Sequence, residues 1–453
     1  MPTAKLASFI KSNGTSQTLT ENSPARFVVN KKTALRAYAE AKARGDNRFA
    51  ATIKASSAAA ASLSVDFAAR EASFSITDRN IIGNYLGDKT LLSASRIEAY
   101  EQCPFSYFLN YIMKIKPLKQ AEISPLEAGT FVHAVLERVM RSLDGNLMSL
   151  EEAKLGALAE NTADEVVREQ IGDLVDTNSR LRYLFERLKA QSSRLLLRLR
   201  SEQSQSEFRP CDYELKISDE GDVKPLSYLT PDGKSVSIVG AIDRVDLLNK
   251  NGRSYVRVVD YKTGDKAFSL SDVFYGLNIQ MLLYLFTLCD KKNDRYENAV
   301  PAAVMYMPAD PKAPAVDEQS PSIAVKKAYR MDGLVIDDAE VVAAMERTGE
   351  GVFIPVAVDK NGELKKSDKL ASLEKLGRIK SHIDGLIIDM ASALYDGKID
   401  ACPIVKSDGG SACDYCDYKA VCRRDRNNRE RTLSKLDPSA LFTDDEAKEA
   451  DVL

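Results

Sequence analysis

The sequence predicts an α/β fold, in which a mixed central sheet is flanked by helices and further helices are inserted before the sheet. Residues 235–264 alternate apolar and polar side chains, and Asn251-Gly252 interrupts them as a two-residue turn, which indicates a β-hairpin. Residues 277–288 have a helical apolar pattern, and the apolar run at residues 299–308 predicts another strand. This order of elements is typical of a small α/β core.

The length and composition are those of a folded globular protein. The chain has 453 residues, of which 44% are hydrophobic and 28% charged, so it can bury a large core and is not disordered as a whole. We expect a leader of uncertain structure at residues 1–86 and the main domain at residues 87–435, with a helical insertion at about residues 141–205. Residues 436–453 form an acidic tail in this prediction.

The sequence also excludes some functions and locations. No apolar run is long enough to cross a bilayer and no secretory signal pattern is present, so we expect a cytoplasmic protein without a membrane partner. The seven cysteines would then lie in a reducing compartment, where disulfides are rare. No stretch has the spacing of a phosphate-binding loop, which argues against a nucleotide-driven motor. The net charge of −3 neither indicates nor excludes a nucleic-acid partner.

Two helices are predicted ahead of the sheet. Ser95 followed by Glu98 has the spacing of a capping box and predicts a helix that ends near Cys103. A second helix is predicted from about residue 127, because residues 132–140 carry one apolar stripe with helical spacing. His133 lies on the edge of that stripe, and a lone helical histidine is by itself more often structural.

The hairpin turn determines which residues of its two strands face each other. Counting outward from Asn251-Gly252 puts Asp243 opposite Asp260, with Cβ atoms about 4.5–5.5 Å apart. The same register puts Asp246 opposite Arg257 on the other face, where opposite charges favour the pairing. Lys262 follows Asp260 by two residues and is therefore expected on the same face as the two aspartates.

Two carboxylates held together repel each other unless a divalent cation neutralises them, and oxygen ligands suit Mg²⁺ or Mn²⁺. Such a cation activates water and polarises a phosphodiester, while a lysine stabilises developing charge. Asp243, Asp260 and Lys262 are therefore predicted to be catalytic, and the reaction is phosphodiester hydrolysis. The alternative is a solvated hairpin that happens to carry acids, and we prefer that interpretation for Asp246.

Three cysteines near the C-terminus have metal-binding spacing. Cys413, Cys416 and Cys422 form C-x2-C-x5-C, which brings three thiolates onto one ion or cluster. A fourth ligand must come from elsewhere, and spacing does not decide among the remaining four cysteines, Cys103, Cys211, Cys289 and Cys402. Four thiolates suit either tetrahedral zinc or a [4Fe-4S] cluster.

The C-terminal region has two further features. A long helix is predicted at about residues 373–395, and its His382 is expected to be structural. After the last cysteine comes a basic cluster, which is either a solvated tail or a patch that contacts phosphates: Arg423, Arg424, Arg426, Arg429 and Arg431.

Several stretches resemble the nuclease region of AddB-type helicase-nuclease subunits, which belong to the PD-(D/E)XK superfamily. The resemblance runs from about Leu91 to Arg424 and includes LSASRIEAYEQCPFSYFLNYIMKI and the C-terminal cysteine segment. It implies a restriction-endonuclease-like core. Gly129, His133 and Glu137 resemble the helix before the sheet in RecB-type nucleases, which implies that His133 is a metal ligand beside Asp243 and Asp260.

The resemblance also implies roles for other residues. Gln280 and Tyr284, one helical turn apart, would contact DNA, although a tyrosine at the edge of the core is nearly as plausible from the sequence alone. Cys103 matches the isolated upstream cysteine that completes an iron-sulfur site in this family, and Cys402 is the second choice. The cluster would then be a structural staple around the core.

The function implied is a Mg²⁺- or Mn²⁺-dependent deoxyribonuclease, in the exonuclease mode, that acts on DNA ends and single strands. Members of this family cut the strand that ends 5′ during recombinational repair, with an AddA-type helicase-nuclease partner. What precedes Leu91 is shorter than the family's helicase-like region. Two alternatives are a non-catalytic iron-sulfur module that binds DNA ends and a zinc-stapled scaffold.

Overall fold

In the computed structural model the chain divides into two compact units, Met1–Ala72 and Ser73–Leu453. The residues described are 33–34, 36–38, 41, 45–56, 75–116, 125–170, 172, 175, 178–262, 264, 267–309, 328–422 and 429–443. In the first unit, helix α1 (Asn47–Ser56) packs against Ala37, Tyr38 and Ala41. The predicted basic residues Arg423, Arg424 and Arg426, and the acidic tail from residue 444 onward, lie outside the described residues.

The second unit combines helices and strands, and we number them in chain order. The helices are α2 (Arg79–Leu86), α3 (Ala94–Gln102), α4 (Pro104–Tyr107), α5 (Pro125–Ser142), α6 (Glu152–Gln170), α7 (Ser179–Gln203), α8 (Leu270–Phe274), α9 (Gln280–Leu288), α10 (Ala339–Met345), α11 (Leu373–Tyr395) and α12 (Lys419–Cys422). The strands are β1 (Lys89–Leu92), β2 (Arg209–Ile217), β3 (Ser227–Leu229), β4 (Ser235–Ile238), β5 (Gly240–Lys250), β6 (Arg253–Lys262), β7 (Val300–Pro308), β8 (Asp332–Ile336), β9 (Leu370–Ala371), β10 (Ile404–Lys406) and β11 (Arg431–Leu433).

The main sheet is mixed and has the order β2-β5-β6-β7-β8-β9. Strands β2, β5 and β6 are antiparallel neighbours, whereas β6 pairs with β7 in parallel. One face of the sheet packs on α3, α9 and α11, and the other packs on α5, α6, α7 and α10. The predicted α/β class with a mixed sheet between helices is therefore confirmed. None of the helices in the described part of the chain has both the length and the apolarity needed to cross a lipid bilayer.

The predicted hairpin and its register are confirmed. Asn251 and Gly252 have φ angles of 52° and 74°, so both central residues are left-handed, as a tight two-residue turn between twisted strands requires. Asp246 pairs with Arg257, and the ladder continues in the same register to Arg244 and Val259. The turn therefore determines the relative position of the residues at the far ends of β5 and β6.

Three boundaries differ from the sequence predictions. Helix α3 is capped by Ser93, whose hydroxyl accepts the Arg96 N–H, while the carboxylate of Glu98 accepts the Ile279 N–H instead. The first predicted hairpin strand is two strands, because the chain leaves the small sheet of β1, β4 and β3 after Ile238 and enters the main sheet at β5. Helix α9 begins three residues later than predicted, because Asn278 is left-handed, with a φ of 58°.

The preferred interpretation of Asp246 as a solvated residue is wrong. Its side chain is fully buried on the α5–α7 face of the sheet, between two arginines. Arg244 donates to both of its carboxylate oxygens over 2.8 and 3.0 Å, and Arg257 donates to Oδ2 over 2.6 Å. Glu202 of α7 completes a buried network of four charges by accepting from Arg257 over 2.7 Å. Ion pairs thus connect α7, one of the helices inserted before the sheet, to the hairpin.

Candidate active site

Asp243 and Asp260 lie inside β5 and β6, near the ends farthest from the turn and one position beyond the last pair of the ladder. Asp260 is only 3% exposed. Burial, followed by the negative charge of Asp260, raises the pKa of Asp243 to about 7. Two nearly buried carboxylates side by side repel each other, which favours a bound proton on Asp243 or a bound cation.

Lys262 is the nearest cation to this pair. Its Nζ lies 2.6 Å from Asp260 Oδ2. Apart from this ion pair, that buried oxygen has no hydrogen-bond donor among the described residues. The same ammonium lies 5.7 Å from the centre of the Tyr306 ring. One oxygen of Asp260 therefore keeps capacity for a further electropositive partner.

His133 reaches the aspartates from α5 on the other side of the strands. Its Nε2 lies 2.9 Å from the carbonyl oxygen of Tyr261, which can only accept, so Nε2 carries the proton. Its Nδ1 then points toward two carboxylates, 3.5 Å from Asp243 Oδ2 and 3.7 Å from Glu214 Oε1. In the neutral ring this Nδ1 has a free lone pair, which is what a metal ligand needs.

The pKa of His133 reflects these neighbours. Burial disfavours the charged imidazolium, but the hydrogen-bonding interaction with Glu214 and the charge of Asp243 outweigh it and raise the pKa to about 9. In the metal-free protein the ring is thus positively charged at neutral pH. A proton on Nδ1 occupies the position that a cation would take.

Glu214 is a site residue that the sequence analysis missed. It lies on β2 opposite Asp243, between the pairs Tyr213–Arg244 and Leu215–Ile242. Its φ of 47° is uncommon for a residue with a side chain in the middle of a strand, and such strain is often found at functional sites. No tight turn joins β2 to β5, so the sequence gives no register between these strands.

The donor atoms of His133, Glu214 and Asp243 lie within 4.8 Å of one another. One nitrogen and two carboxylate oxygens, with the Asp260 carboxylate next to Asp243, suit a divalent cation such as Mg²⁺ or Mn²⁺. The residues present therefore fit a metal at this place.

The backbone of Tyr261 connects these side chains. Its N–H donates to Asp243 Oδ2 over 2.9 Å, and its carbonyl oxygen accepts from His133 over the same distance. Tyr261, which lies between Asp260 and Lys262 in the chain, therefore orients both Asp243 and His133. Hydrogen bonds made to metal-binding side chains in this way hold those side chains in the orientation that binding requires.

Gln280 and Tyr284 of α9 lie beside the site as neighbours on one helical face. The Gln280 amide donates to the Tyr284 hydroxyl over 3.4 Å. Tyr284 is 5% exposed and packs in the core, and its hydroxyl lies near enough to Asp243 and Asp260 to interact with their charges. A Cβ on Gly240 would lie 2.5 Å from that hydroxyl oxygen, which explains why glycine begins β5. Their predicted contact with DNA stays a prediction.

Cys103 meets the C-terminal cysteines in a second cluster. It directly precedes α4 as its N-cap residue, and the N–H groups of Phe105 and Ser106 hydrogen-bond to its sulfur. Cys416 and Cys422 pack against the same buried cluster, and Cys413 and Cys422 lie near enough to interact electrostatically with Cys103. Burial, the largest cause, raises the pKa of Cys103 to about 11. Four thiols in a partly buried place, one of them with N–H donors, suit a metal or cluster that stabilises thiolates.

The other three cysteines have different surroundings. Cys211 donates to the carbonyl of Val245 over 3.4 Å in the main sheet, and Cys289 packs at the end of α9. Cys402 directly follows Ala401, which belongs to the cluster around Cys103, so it stays the second choice for the fourth ligand.

Comparison with known proteins identifies the class. A family model described as the PD-(D/E)XK nuclease superfamily matches residues 91–423. The chain therefore belongs to this superfamily, whose nucleases use divalent metals, and the predicted resemblance is confirmed.

The chain is also similar to proteins named as subunits of an ATP-dependent helicase/deoxyribonuclease. It is 33% identical to that of Clostridioides difficile over 362 residues, which cover 76% of this chain and 31% of the relative. It is 32% identical to that of Ruminiclostridium cellulolyticum over 371 residues, which cover 79% of this chain and 32% of the relative. The chain thus spans about a third of the length of these relatives.

We predict that Mn²⁺ affinity rises with pH between about 6.5 and 9, by up to about tenfold per pH unit, because a proton on His133 Nδ1 competes with the cation. The same proton lowers the affinity for the metal but stabilises the fold of the metal-free protein. The raised pKa of His133 stabilises the fold below pH 6.5, and this contribution is lost as the pH rises through 9. Calorimetric titration of the metal-free chain with Mn²⁺ measures the affinity at each pH.

His382 provides the matched control, since it is the other histidine and stacks on Phe274, with ring centres 4.8 Å apart. His382→Gln should retain the pH dependence, whereas His133→Gln should weaken binding at every pH. An affinity that does not change between pH 6.5 and 9 would contradict the assignment of His133.

Proposed function

We propose that this chain is a metal-dependent deoxyribonuclease that hydrolyses phosphodiester bonds at DNA ends. The observation that carries the proposal is the convergence of His133, Glu214 and Asp243 beside Asp260 and Lys262. The superfamily and the deoxyribonuclease names of the relatives support the same reaction.

His133, Glu214, Asp243 and the Asp260 carboxylate would hold Mg²⁺ or Mn²⁺. The bound ion supplies Lewis-acid polarisation of the phosphodiester and lowers the pKa of a coordinated water. Lys262 has three N–H donors and pairs with one oxygen of Asp260, so it has donors left for an attacking water or a phosphate oxygen. This donor is held next to the reacting group before substrate arrives, so no reorganisation is needed during the reaction.

We further propose that the four cysteines Cys103, Cys413, Cys416 and Cys422 bind a [4Fe-4S] cluster. Cys103 precedes the sheet and the other three follow it, so a cluster would join the two ends of a very long loop. Cross-linking such distant positions removes much conformational entropy from the unfolded chain. The cluster would thus be a structural staple rather than a redox centre.

The names of the relatives support a partner helicase. Their names join a helicase to a deoxyribonuclease. We infer that this chain acts with an AddA-type partner in recombinational repair, as an exonuclease on the strand that ends 5′. Gln280 and the hydroxyl of Tyr284 would contact this DNA at the edge of the site.

Lys262→Ala and Asp260→Asn should each lower the cleavage rate by about a hundredfold or more, because each removes charge needed next to the reacting phosphate. The assay uses the full chain with Mg²⁺ or Mn²⁺ and linear single-stranded DNA labelled at its 5′ or 3′ end. Covalently closed single-stranded circles should remain intact, and short products should appear from the 5′ end first.

Lys250→Ala is the matched control, because Lys250 lies at the turn end of the same hairpin. It should cleave at the wild-type rate. If the wild-type chain binds DNA but shows no metal-dependent cleavage, the proposed nuclease activity is refuted. That result would favour a non-catalytic module that binds DNA ends.

The cluster proposal predicts a broad absorption band near ~400 nm and about four iron atoms per chain after anaerobic purification. Cys103→Ser should lose the band, because the remaining three thiolates cannot complete the site. Absorption spectra and iron and sulfide assays measure both. Cys289→Ser, which removes a thiol at the end of α9, should keep the band. Bound zinc without the band would contradict the cluster, and a band retained by Cys103→Ser would point to Cys402.

A further inference from the structure

The side chain of Tyr261 ties the candidate metal site to the buried charge network on the other side of the strands. Arg244 Nη1 donates to the Tyr261 hydroxyl over 3.1 Å, and its guanidinium carbon lies 5.8 Å from the ring centre. At its backbone, the same tyrosine holds Asp243 and His133. The residue is therefore fixed at both ends, by the network at its hydroxyl and by two site residues at its peptide groups.

The network has a defined geometry. Glu202, Arg244, Asp246 and Arg257 are each at most 1% exposed, and their two positive and two negative charges balance. Asp246 accepts from both arginines, and Glu202 accepts from Arg257 over 2.7 Å and from Arg244 over 3.4 Å. Planar guanidinium groups that bind carboxylates through two nitrogens have little freedom to rotate.

Stability alone does not explain why four charges are buried here. Removing charges from water costs several kcal/mol per ion by general estimates, and apolar side chains of the same volume often stabilise a fold equally well or better. An apolar cluster would not provide a directed donor to the Tyr261 hydroxyl, whereas Arg244 does. The network also includes Glu202 of α7, so a helix outside the sheet contributes to the orientation of the hairpin.

We propose that this network is a positioning device for the metal site, in which Arg244 and Tyr261 act as positioning residues. This inference rests on the proposed metal-dependent function. Anchoring the Tyr261 hydroxyl keeps its N–H directed at Asp243 and its carbonyl directed at His133 Nε2. Because Tyr261 lies between Asp260 and Lys262, the same anchor restricts the backbone that carries both of them.

Tyr261→Phe tests the proposal, since it removes one hydroxyl and leaves the ring and the peptide groups in place. It should weaken Mn²⁺ binding to the metal-free full chain by about tenfold, the low end for groups that orient metal ligands. In cleavage assays the Mg²⁺ concentration required should rise, and saturating Mg²⁺ should restore the rate nearly to that of wild type. A change that only reduced the folded fraction would lower the rate at every Mg²⁺ concentration.

Tyr213→Phe is the matched control. Tyr213 is also buried, pairs with Arg244 across the sheet, and has a hydroxyl without a hydrogen-bond partner among the described residues. It should bind Mn²⁺ as wild type does. If Tyr261→Phe does not fold, Glu202→Gln tests the network from α7, and it should also weaken Mn²⁺ binding.

Each outcome has a distinct meaning. Wild-type Mn²⁺ affinity in both Tyr261→Phe and Glu202→Gln overturns the positioning role, and so does equal weakening in Tyr213→Phe. If His133→Ala abolishes binding while neither Tyr261→Phe nor Glu202→Gln changes it, the proposed function stands and only the positioning role fails. If wild type binds no Mn²⁺, both are refuted.

Discussion

The mutual repulsion of Asp243 and Asp260 is the constraint on which the rest of the site depends. A two-residue turn forces the two carboxylates to the same end of the hairpin, and burial prevents water from separating their charges. A proton shared with His133 or a bound cation relieves that repulsion. The raised pKa values of Asp243 and His133 agree with this, because the metal-free site retains protons where a cation would bind.

The fold supports this arrangement from both faces of the sheet. Helix α5 brings His133 to the aspartates, and the left-handed backbone at Glu214 directs a third ligand toward them. On the α5–α7 face, Glu202 and Asp246 hold two buried arginines, one of which donates to the Tyr261 hydroxyl. Glu202 thus joins α7 to the hairpin, and Tyr261 joins the hairpin network to the candidate metal ligands. The cysteine cluster is separate and links segments before and after the sheet.

The sequence predicts what local geometry determines. The positions of Asp243, Asp260 and Lys262 follow from the turn, and three of the cysteines follow from their spacing. Glu214 could not be found, since no short turn relates β2 to β5 and its unusual φ breaks the alternation of the strand. The burial of Asp246 was missed because its partner Glu202 lies on a distant helix. Cys103 could be chosen only by resemblance, because its approach to Cys422 depends on the whole fold.

The most direct test of the central claim is a crystal structure of the full chain soaked in Mn²⁺, with anomalous scattering used to locate the ion. We predict an anomalous peak about 2.0–2.3 Å from His133 Nδ1 and from oxygens of Glu214 and Asp243, with Asp260 beside it. An occupied Mn²⁺ site elsewhere, with none between these residues, would refute the proposed metal site.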